Sequence, residues 1–256
     1  SASAQRLAAT ATKVSLHSFT LDNLAEACAG ADGAFVVAPL SDEMEAWHRS
    51  VATALSAAGV SHVVKVSVTG ARPPQSEPPP GRFPSLHFAG EEALRQAGLL
   101  TTVIRPTIFM QHFEMNTGLY TRSDDRVFLP TAAAGVAFLD CRDIASFGQE
   151  LLLSPAAVSF RGGAYELTGP EALTGQRIAE ILTNVRERPT THVDGKEKFE
   201  ARCAELGQPD WAKFVYAEAA EGWFSTLSTE PFEAVVGRKP RSFATYADDH
   251  ALWFRP

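Results

Sequence analysis

The sequence predicts an α/β fold: an open, doubly wound parallel sheet followed by a smaller, mostly helical cap. Three short apolar runs bounded by glycine or proline, at 33–40, 62–68 and 99–106, are typical of strands covered on both faces. Amphipathic helical patterns at 41–59 and 85–98 separate them. Strands joined by helices of this length pair in parallel through right-handed crossovers. In such sheets, ligands bind beyond the carboxyl ends of the strands.

The beginning of the chain continues the same alternation. Residues 12–16 are predicted to form a strand, and Asp22 is predicted to cap a helix over 23–29. At the start of the helix that follows the first apolar run, Ser41 or Asp42 is expected to be the N-cap. No glycine-rich turn precedes these elements in the sequence.

A loop rich in proline follows the second apolar run. Residues 70–84 contain six prolines, which exclude a helix or a central strand because proline removes a backbone donor. Loops of this length are often lids or binding loops, and the alternative is an inert surface insertion. Residues 72–82 are expected to form a mobile flap over the strand ends, with Gly70 and Gly81 as hinges.

The second half of the chain follows a looser pattern. Short strands are predicted at 126–130, 136–140 and 164–170, and helices at 141–155, at 173–189 and through most of the chain after 190. We therefore expect residues 1–130 to form the sheet-based core. Residues 131–256 are expected to form a substrate-binding cap that is interleaved with that core.

The acidic composition narrows the function classes. Lysine and arginine number 23 and aspartate and glutamate 30, which gives a formal net charge of −7. No basic run offers the electrostatic footprint of nucleic-acid binding, and no apolar run is long enough to span a membrane. Three scattered cysteines favour a reducing compartment over a disulfide framework or a metal site. The sequence therefore predicts a cytoplasmic protein that binds neither nucleic acid nor a membrane, and no metal site is expected.

Polar residues near the predicted strand ends are the first candidates for a site. His87 and Glu91 are four residues apart on one helical face, where they form either a proton-transfer pair or a surface pair. Lys65 stands inside a buried strand, where an unpaired ammonium is costly. Its side chain is expected to reach the carboxyl end of the sheet and a partner there, or to form a purely structural pair. Arg105, next to Pro106, is interpreted as a structural anchor.

Four segments carry a resemblance to a known family. They read HVVKVSVTGA, GEEALRQAGLLTTVIRPTIFMQHF, YELTGPEALTGQRIAEIL and RKPRSFATYADDHALWF, and IRPTIFMQ is the most specific stretch. They resemble the NmrA-like branch of the atypical short-chain dehydrogenases/reductases, which is similar to triphenylmethane reductase and NAD(P)H:quinone reductase, over about residues 7–254. The resemblance implies a Rossmann-like sheet and an NAD(P)H-dependent oxidoreductase acting on a small electron-poor molecule such as a quinone, dye or enone. A cofactor-independent cyclase, isomerase or lyase and a non-catalytic nucleotide-sensing regulator are the alternatives.

The family begins with a strand, a GxxGxxG turn, a helix and a second strand. The turn lets the pyrophosphate approach the amino end of a helix. This unit is absent from the sequence, which indicates either a fragment or a naturally shortened protein. The expected cofactor is accordingly NADP or NAD if the native protein supplies the unit, and otherwise none. A second copy of the chain, or another partner chain, could cover the sheet edge left exposed.

The resemblance also implies which residues form the site. Typical members of the wider superfamily use a serine and a Tyr-x-x-x-Lys motif, in which the tyrosine donates a proton. Ser67 matches the serine, but residues 87–91 read His-Phe-Ala-Gly-Glu in place of the motif. The predicted catalytic residues are therefore His87, Ser67 and Lys65. Contacts to the cofactor are expected at Ala38, Pro39, Ser67, Pro106, Thr107, Ile108 and Phe109. Substrate is expected beside Met110, His112 and Phe113, although the methionine and the phenylalanine are also typical of core packing.

Overall fold

The computed structural model describes residues 23–115, 119–121, 125–130, 134–208 and 222–255. The strand predicted at 12–16 and the cap predicted at Asp22 lie outside these ranges.

A parallel sheet of four strands forms the centre of the fold. Its strands are β1 (Gly33–Val37), β2 (His62–Val66), β3 (Leu100–Pro106) and β6 (Ala164–Leu167), in the spatial order β1-β2-β3-β6. All three pairings are parallel, and Val37, Val66 and Ile104 lie side by side. The carboxyl ends of the first three strands therefore meet at one edge, which confirms the predicted α/β architecture.

Three helices cover one face of this sheet: α1 (Leu24–Ala27), α2 (Met44–Ala57) and α3 (Arg82–Gln96). Val51 and Leu55 of α2 and Leu94 of α3 are buried in one apolar cluster with Val63 of β2. Burying these side chains stabilises the layer by roughly 1.5–3 kcal/mol each. Neither Ser41 nor Asp42 caps α2 with its side chain, so that prediction is wrong; Glu43 occupies the N-cap position without a side-chain hydrogen bond.

Helix α3 begins three residues earlier than the sequence predicted. It starts at Arg82 after the N-cap Gly81, so Pro84 lies in its first turn. Proline is tolerated there because first-turn amides have no helical carbonyl to bond. The proline-rich loop consequently ends at Gly81, and the end of the loop is joined directly to the helix that carries His87.

The opposite face is covered by α4 (Cys141–Leu153) and α7 (Glu230–Val236). Phe147 and Leu151 of α4 pack with Val64 and Ile104 of the sheet. Asp140 caps α4 by accepting a 2.8 Å hydrogen bond from the backbone amide of Arg142. Helices on both faces make the sheet doubly wound, as predicted.

Strand β1 is more exposed than its apolar sequence suggests. Among the described residues it pairs with a strand on one side only, and Phe35 and Val37 are 41% and 60% exposed. The prediction that this run is covered on both faces is wrong for this part of the structure. Helix α4 contacts the Phe35 side of β1 at Gly148. A Cβ added to Gly148 would lie 2.1 Å from the Phe35 ring.

A second layer of structure packs beside the carboxyl ends of the sheet. Its small sheet joins β4 (Tyr120–Thr121), β5 (Arg126–Phe128) and β7 (Thr191–Val193). The helices are α5 (Gly175–Arg186), α6 (Lys196–Glu205), α8 (Phe243–Asp249) and α9 (Ala251–Phe254). The strand predicted at 136–140 is wrong, because only isolated bridges from Val136 and Leu139 form there. Across the described ranges, no helix is both long and apolar enough to cross a membrane.

Candidate active site

A cavity of about 720 Å³ opens at the carboxyl ends of β1, β2 and β3. The residues after each strand contribute to its wall, as do the first turns of α3. Most of the lining is apolar, and Phe83, Phe109 and Phe224 supply aromatic surface. The position matches the general rule for ligand sites in open parallel sheets.

Most residues predicted to contact a cofactor line this cavity. They are Ala38, Ser67, Pro106, Thr107, Ile108 and Phe109, whereas Pro39 is absent from the wall. The Thr107 side chain is 4% exposed, and its hydroxyl has no hydrogen-bond partner within the described part of the chain. An unpartnered buried hydroxyl is costly, so Thr107 is a natural contact for a polar group of a ligand.

His87 is brought to the cavity wall by the second turn of α3. Its Nδ1 lies 3.3 Å from the Nζ of Lys65. Burial, together with the charge of Lys65 and the proximity of His48, lowers the pKa of His87 to about 3. The imidazole is therefore neutral at physiological pH.

Lys65 is completely buried, on the face of β2 that packs against α2 and α3. Its Nζ donates a 3.2 Å hydrogen bond to the carbonyl of Val66 in addition to its contact with His87. Burial lowers the pKa of Lys65 to about 8, although the negative charge of Glu91 favours the ammonium. Lys65 thus reaches toward the carboxyl end of the sheet, one of the two alternatives that the sequence left open.

The predicted pair of His87 and Glu91 does not form. The buried Glu91 carboxylate instead accepts hydrogen bonds of 3.1 and 2.7 Å from Arg105 and one of 2.6 Å from the Ser67 hydroxyl. The bidentate guanidinium is the stronger partner for a carboxylate, and it draws Glu91 toward β3. Arg105 is therefore a structural anchor, as predicted. Because Ser67 donates its proton to Glu91, its hydroxyl can only accept a hydrogen bond from a ligand.

Two of the three residues predicted to contact substrate belong to the core. Met110 and Phe113 are 1% and 0% exposed and are absent from the cavity wall, which agrees with core packing, the alternative that the sequence left open for these two residues. The Phe113 ring packs edge-on against Phe138 and Phe243. The short 3₁₀ turn Met110–Phe113 points these side chains inward and leaves His112 at the cavity. Burial lowers the pKa of His112 to about 4, so its ring is also neutral.

A smaller side lobe of about 260 Å³ adjoins the cavity and was not predicted from the sequence. The two spaces share walls at Thr69, Thr107 and Phe224. Arg72 and Glu166 add charged groups to the lobe, and burial raises the pKa of Glu166. The local sequence signal for Glu166 was a carboxylate within a predicted strand, whereas Arg72 and Phe224 had no such signal.

His48 is a further residue that the sequence reasoning missed. It lies on α2, is completely buried and donates a 2.7 Å hydrogen bond from Nδ1 to the carbonyl of Met44. Burial, followed by the charge of Lys65, lowers its pKa to about 4. Within the described residues, no group of three or more histidine, cysteine, aspartate and glutamate side chains could hold a metal ion.

Comparison with known proteins agrees with this architecture. The pattern of the NmrA-like family matches residues 2–210. The chain belongs to the NmrA-like family. An NAD(P)H azoreductase from Xenophilus azovorans is 30% identical over 237 residues, which span 90% of this chain and 79% of that protein.

Solved structures of two oxidoreductases share the fold. An NADPH-dependent quinone oxidoreductase from Escherichia coli, in complex with NADPH, superposes with a TM-score of 0.77 at 21% identity, over 98% of this chain and 87% of the other. Triphenylmethane reductase from Citrobacter sp. gives a TM-score of 0.73 at 20% identity, over 91% of this chain and 80% of the other. At these identities the likeness concerns the fold alone.

Proposed function

We propose that the protein is an NAD(P)H-dependent reductase of a small, electron-poor molecule such as a quinone, a dye or an enone. The observation that carries the proposal is the largely apolar cavity at the carboxyl ends of three parallel strands, in a chain 30% identical to an NAD(P)H azoreductase. Flat conjugated molecules suit a cavity of this kind because aromatic walls stack on them without demanding many polar contacts.

The cavity fits the nicotinamide end of such a cofactor. The segment Pro106–Phe109 would lie along the ring, and the unpartnered Thr107 hydroxyl would meet its carboxamide. When bound, the reduced nicotinamide supplies a hydride. The protein orients the cofactor and the substrate and provides the apolar cavity that holds them. Neither NAD nor NADP is favoured by the residues of this cavity.

His87 is the proposed proton donor. His87 and His112 are both neutral imidazoles at the wall, but His87 is the one whose Nδ1 contacts the Lys65 ammonium. The hydroxyl proton of Ser67 is already donated to Glu91. Reduction adds a hydride and a proton to the acceptor, so a hydrogen-bond donor at the cavity lowers the barrier as negative charge develops. Ser67 holds the Glu91 carboxylate in place, and its hydroxyl oxygen can only accept a hydrogen bond from the substrate.

Turnover with a panel of acceptors tests the proposal. The purified native protein, saturated with NADPH or NADH, should oxidise the cofactor in the presence of at least one azo dye, quinone or enone. His87→Gln should lower that turnover at least about tenfold, because a general acid ordinarily contributes about 10²–10⁴-fold to a rate. The melting temperature should stay close to that of the unchanged protein.

His62→Gln is the matched control. His62 lies at the amino end of β2, where it hydrogen-bonds Thr102 at 2.8 Å, far from the cavity wall. This variant should keep its turnover. Nucleotide binding without oxidation by any acceptor would contradict the reductase and favour a nucleotide-sensing regulator. Equal losses in both variants would remove His87 from the reaction.

A further inference from the structure

The contact between Lys65 and His87 joins a fully enclosed ammonium to the cavity wall. Lys65 has no exposed surface, and within the described ranges its Nζ makes hydrogen-bond contacts with the Val66 carbonyl and the His87 ring. Only the imidazole of this pair reaches the cavity. Any proton that leaves Lys65 toward a ligand must therefore pass through His87.

The chemistry of the two groups fixes the tautomer of His87. An ammonium group has donors and no acceptor, so His87 Nδ1 must accept from Lys65. The single proton of the neutral ring then resides on Nε2. Among the described residues, the hydrogen-bond contact of the His87 ring is the one between its Nδ1 and Lys65, and the ring lines the cavity. The ring thus presents an N–H at the cavity wall.

The groups around Lys65 keep its amine protonated near neutral pH and still allow it to release a proton. Charged and titratable groups face it from α2, from α3 and from β3; they are His48, His87, Glu91, Arg95 and Arg105. Glu91 favours the ammonium, whereas burial and the two guanidinium groups favour the amine. The pKa of about 8 that results lies close to physiological pH, where a proton donor is most effective.

We infer that Lys65 is the proton reservoir of the reductase site and that His87 conducts its proton to the substrate. This inference rests on the proposed function. When a substrate atom becomes basic during reduction, the Nε2–H bond of His87 would break and its proton would move to that atom. The Lys65 Nζ–H bond breaks at the same time, and an Nδ1–H bond forms. Lys65 is left as a neutral amine, and a proton from cavity water restores both groups by the reverse path.

The tautomer of His87 can be measured without turnover. In ¹⁵N-histidine spectra at neutral pH, the His87 signal, assigned by its loss in His87→Gln, should show the proton on Nε2. Lys65→Met removes the donor and keeps the volume, so it should yield a tautomer mixture and raise the pKa of His87 toward its usual range. Lys196→Met, a change at an exposed lysine on α6, should leave the signal unchanged.

Turnover measurements then separate proton supply from ring orientation. The rate of the unchanged protein should fall as pH rises past about 8, where Lys65 loses its proton. Lys65→Met should lose at least about tenfold in rate together with this limb. Lys65→Arg keeps a donor to Nδ1 that does not deprotonate, so it should preserve the tautomer but lower the rate.

The outcomes distinguish the two hypotheses. An unchanged His87 tautomer in Lys65→Met overturns the relay whether or not any acceptor is reduced. A rate and pH profile unaffected by Lys65→Met overturn it as well, while leaving the reductase intact. If Lys65→Met changes the tautomer as expected but the protein reduces no acceptor, the contact between Lys65 and His87 is confirmed and the proposed reductase function is contradicted.

Discussion

At the scale of single residues, the contact between His48 and Gly90 explains a glycine inside a helix. Gly90 lies in the middle of α3, where glycine is disfavoured relative to alanine. The His48 ring lies against it, and an added Cβ would come within 2.6 Å of three ring atoms. The ring cannot rotate away easily, because it is buried and its Nδ1 donates a hydrogen bond to the Met44 carbonyl. Gly90 therefore provides the space that lets a histidine occupy the interface between α2 and α3.

This contact predicts that Gly90→Ala destabilises the protein. At an open helical position the change would add about 0.5–1 kcal/mol of stability. Here the clash should outweigh that gain and lower the free energy of unfolding by about 1–3 kcal/mol, the usual cost of overpacking. Urea unfolding measures the difference. The double variant His48→Ala/Gly90→Ala should lose less than the sum of the two single changes. A gain in stability for Gly90→Ala alone would show that the ring relaxes freely.

At the scale of elements, the junction between the proline-rich loop and α3 shows which features the sequence could predict. Proline spacing correctly predicted an irregular segment after β2, because the ring excludes strands and helix interiors wherever it occurs. The start of α3 was placed too late because Pro84 was read as a helix breaker. The loop is closed by Arg72, whose Nε and Nη2 donate 3.2 and 3.0 Å bonds to the Pro78 carbonyl. That contact has no local sequence signature.

We expect this loop to respond to a ligand in the cavity. Gly81, Arg82 and Pro84, at its junction with α3, contribute to the cavity wall. Hydrogen exchange at Gln75 and Ser76 should therefore slow when a saturating acceptor and reduced nicotinamide are added. Equal exchange in both states would identify the loop as an inert surface insertion. Arg72→Gln, which removes the contact to Pro78, should speed exchange without ligand.

At the scale of the whole molecule, buried histidines make stability depend on pH. Burial lowers the pKa of His48 and His112 to about 4 and that of His87 to about 3. Below the unfolded value of about 6.5, the unfolded chain binds protons that the folded protein does not. Stability should consequently fall as pH drops from about 6.5 toward about 4, by up to about 1.4 kcal/mol per pH unit for each histidine.

Urea unfolding at pH 7 and at pH 5.5 checks this dependence. His112→Phe removes one of the buried histidines, so its stability should change less between the two pH values than that of the unchanged protein. Glu166 acts in the opposite direction, since burial raises its pKa. A free energy of unfolding that is constant over this interval would contradict the burial of these rings in solution.

The sequence predicted the architecture better than the site. The architecture follows from local sequence patterns, whereas the site is formed by contacts between residues far apart in the chain. Apolar runs and helical spacing are local, and they were enough to place β2, β3 and the helices between them. Lys65 could be singled out because a lysine interrupts an apolar strand. The partners of Glu91 are distant in sequence, Arg105 in β3 and Ser67 directly after β2, so the sequence suggested His87 instead. His48 was missed because a polar residue in an amphipathic helix is ordinarily exposed.

The stacked side chains at the side lobe have an optical consequence. The guanidinium of Arg72 lies 5.7 Å from the centre of the Trp223 ring, and both residues line the lobe. Indole emission responds to a neighbouring cation and is quenched by a nearby chromophore that absorbs at its wavelength. A coloured acceptor that enters the lobe should therefore lower the fluorescence intensity of Trp223, and Trp223→Phe should remove that component of the signal. Fluorescence at this one ring would follow the arrival of a dye before any electron is transferred.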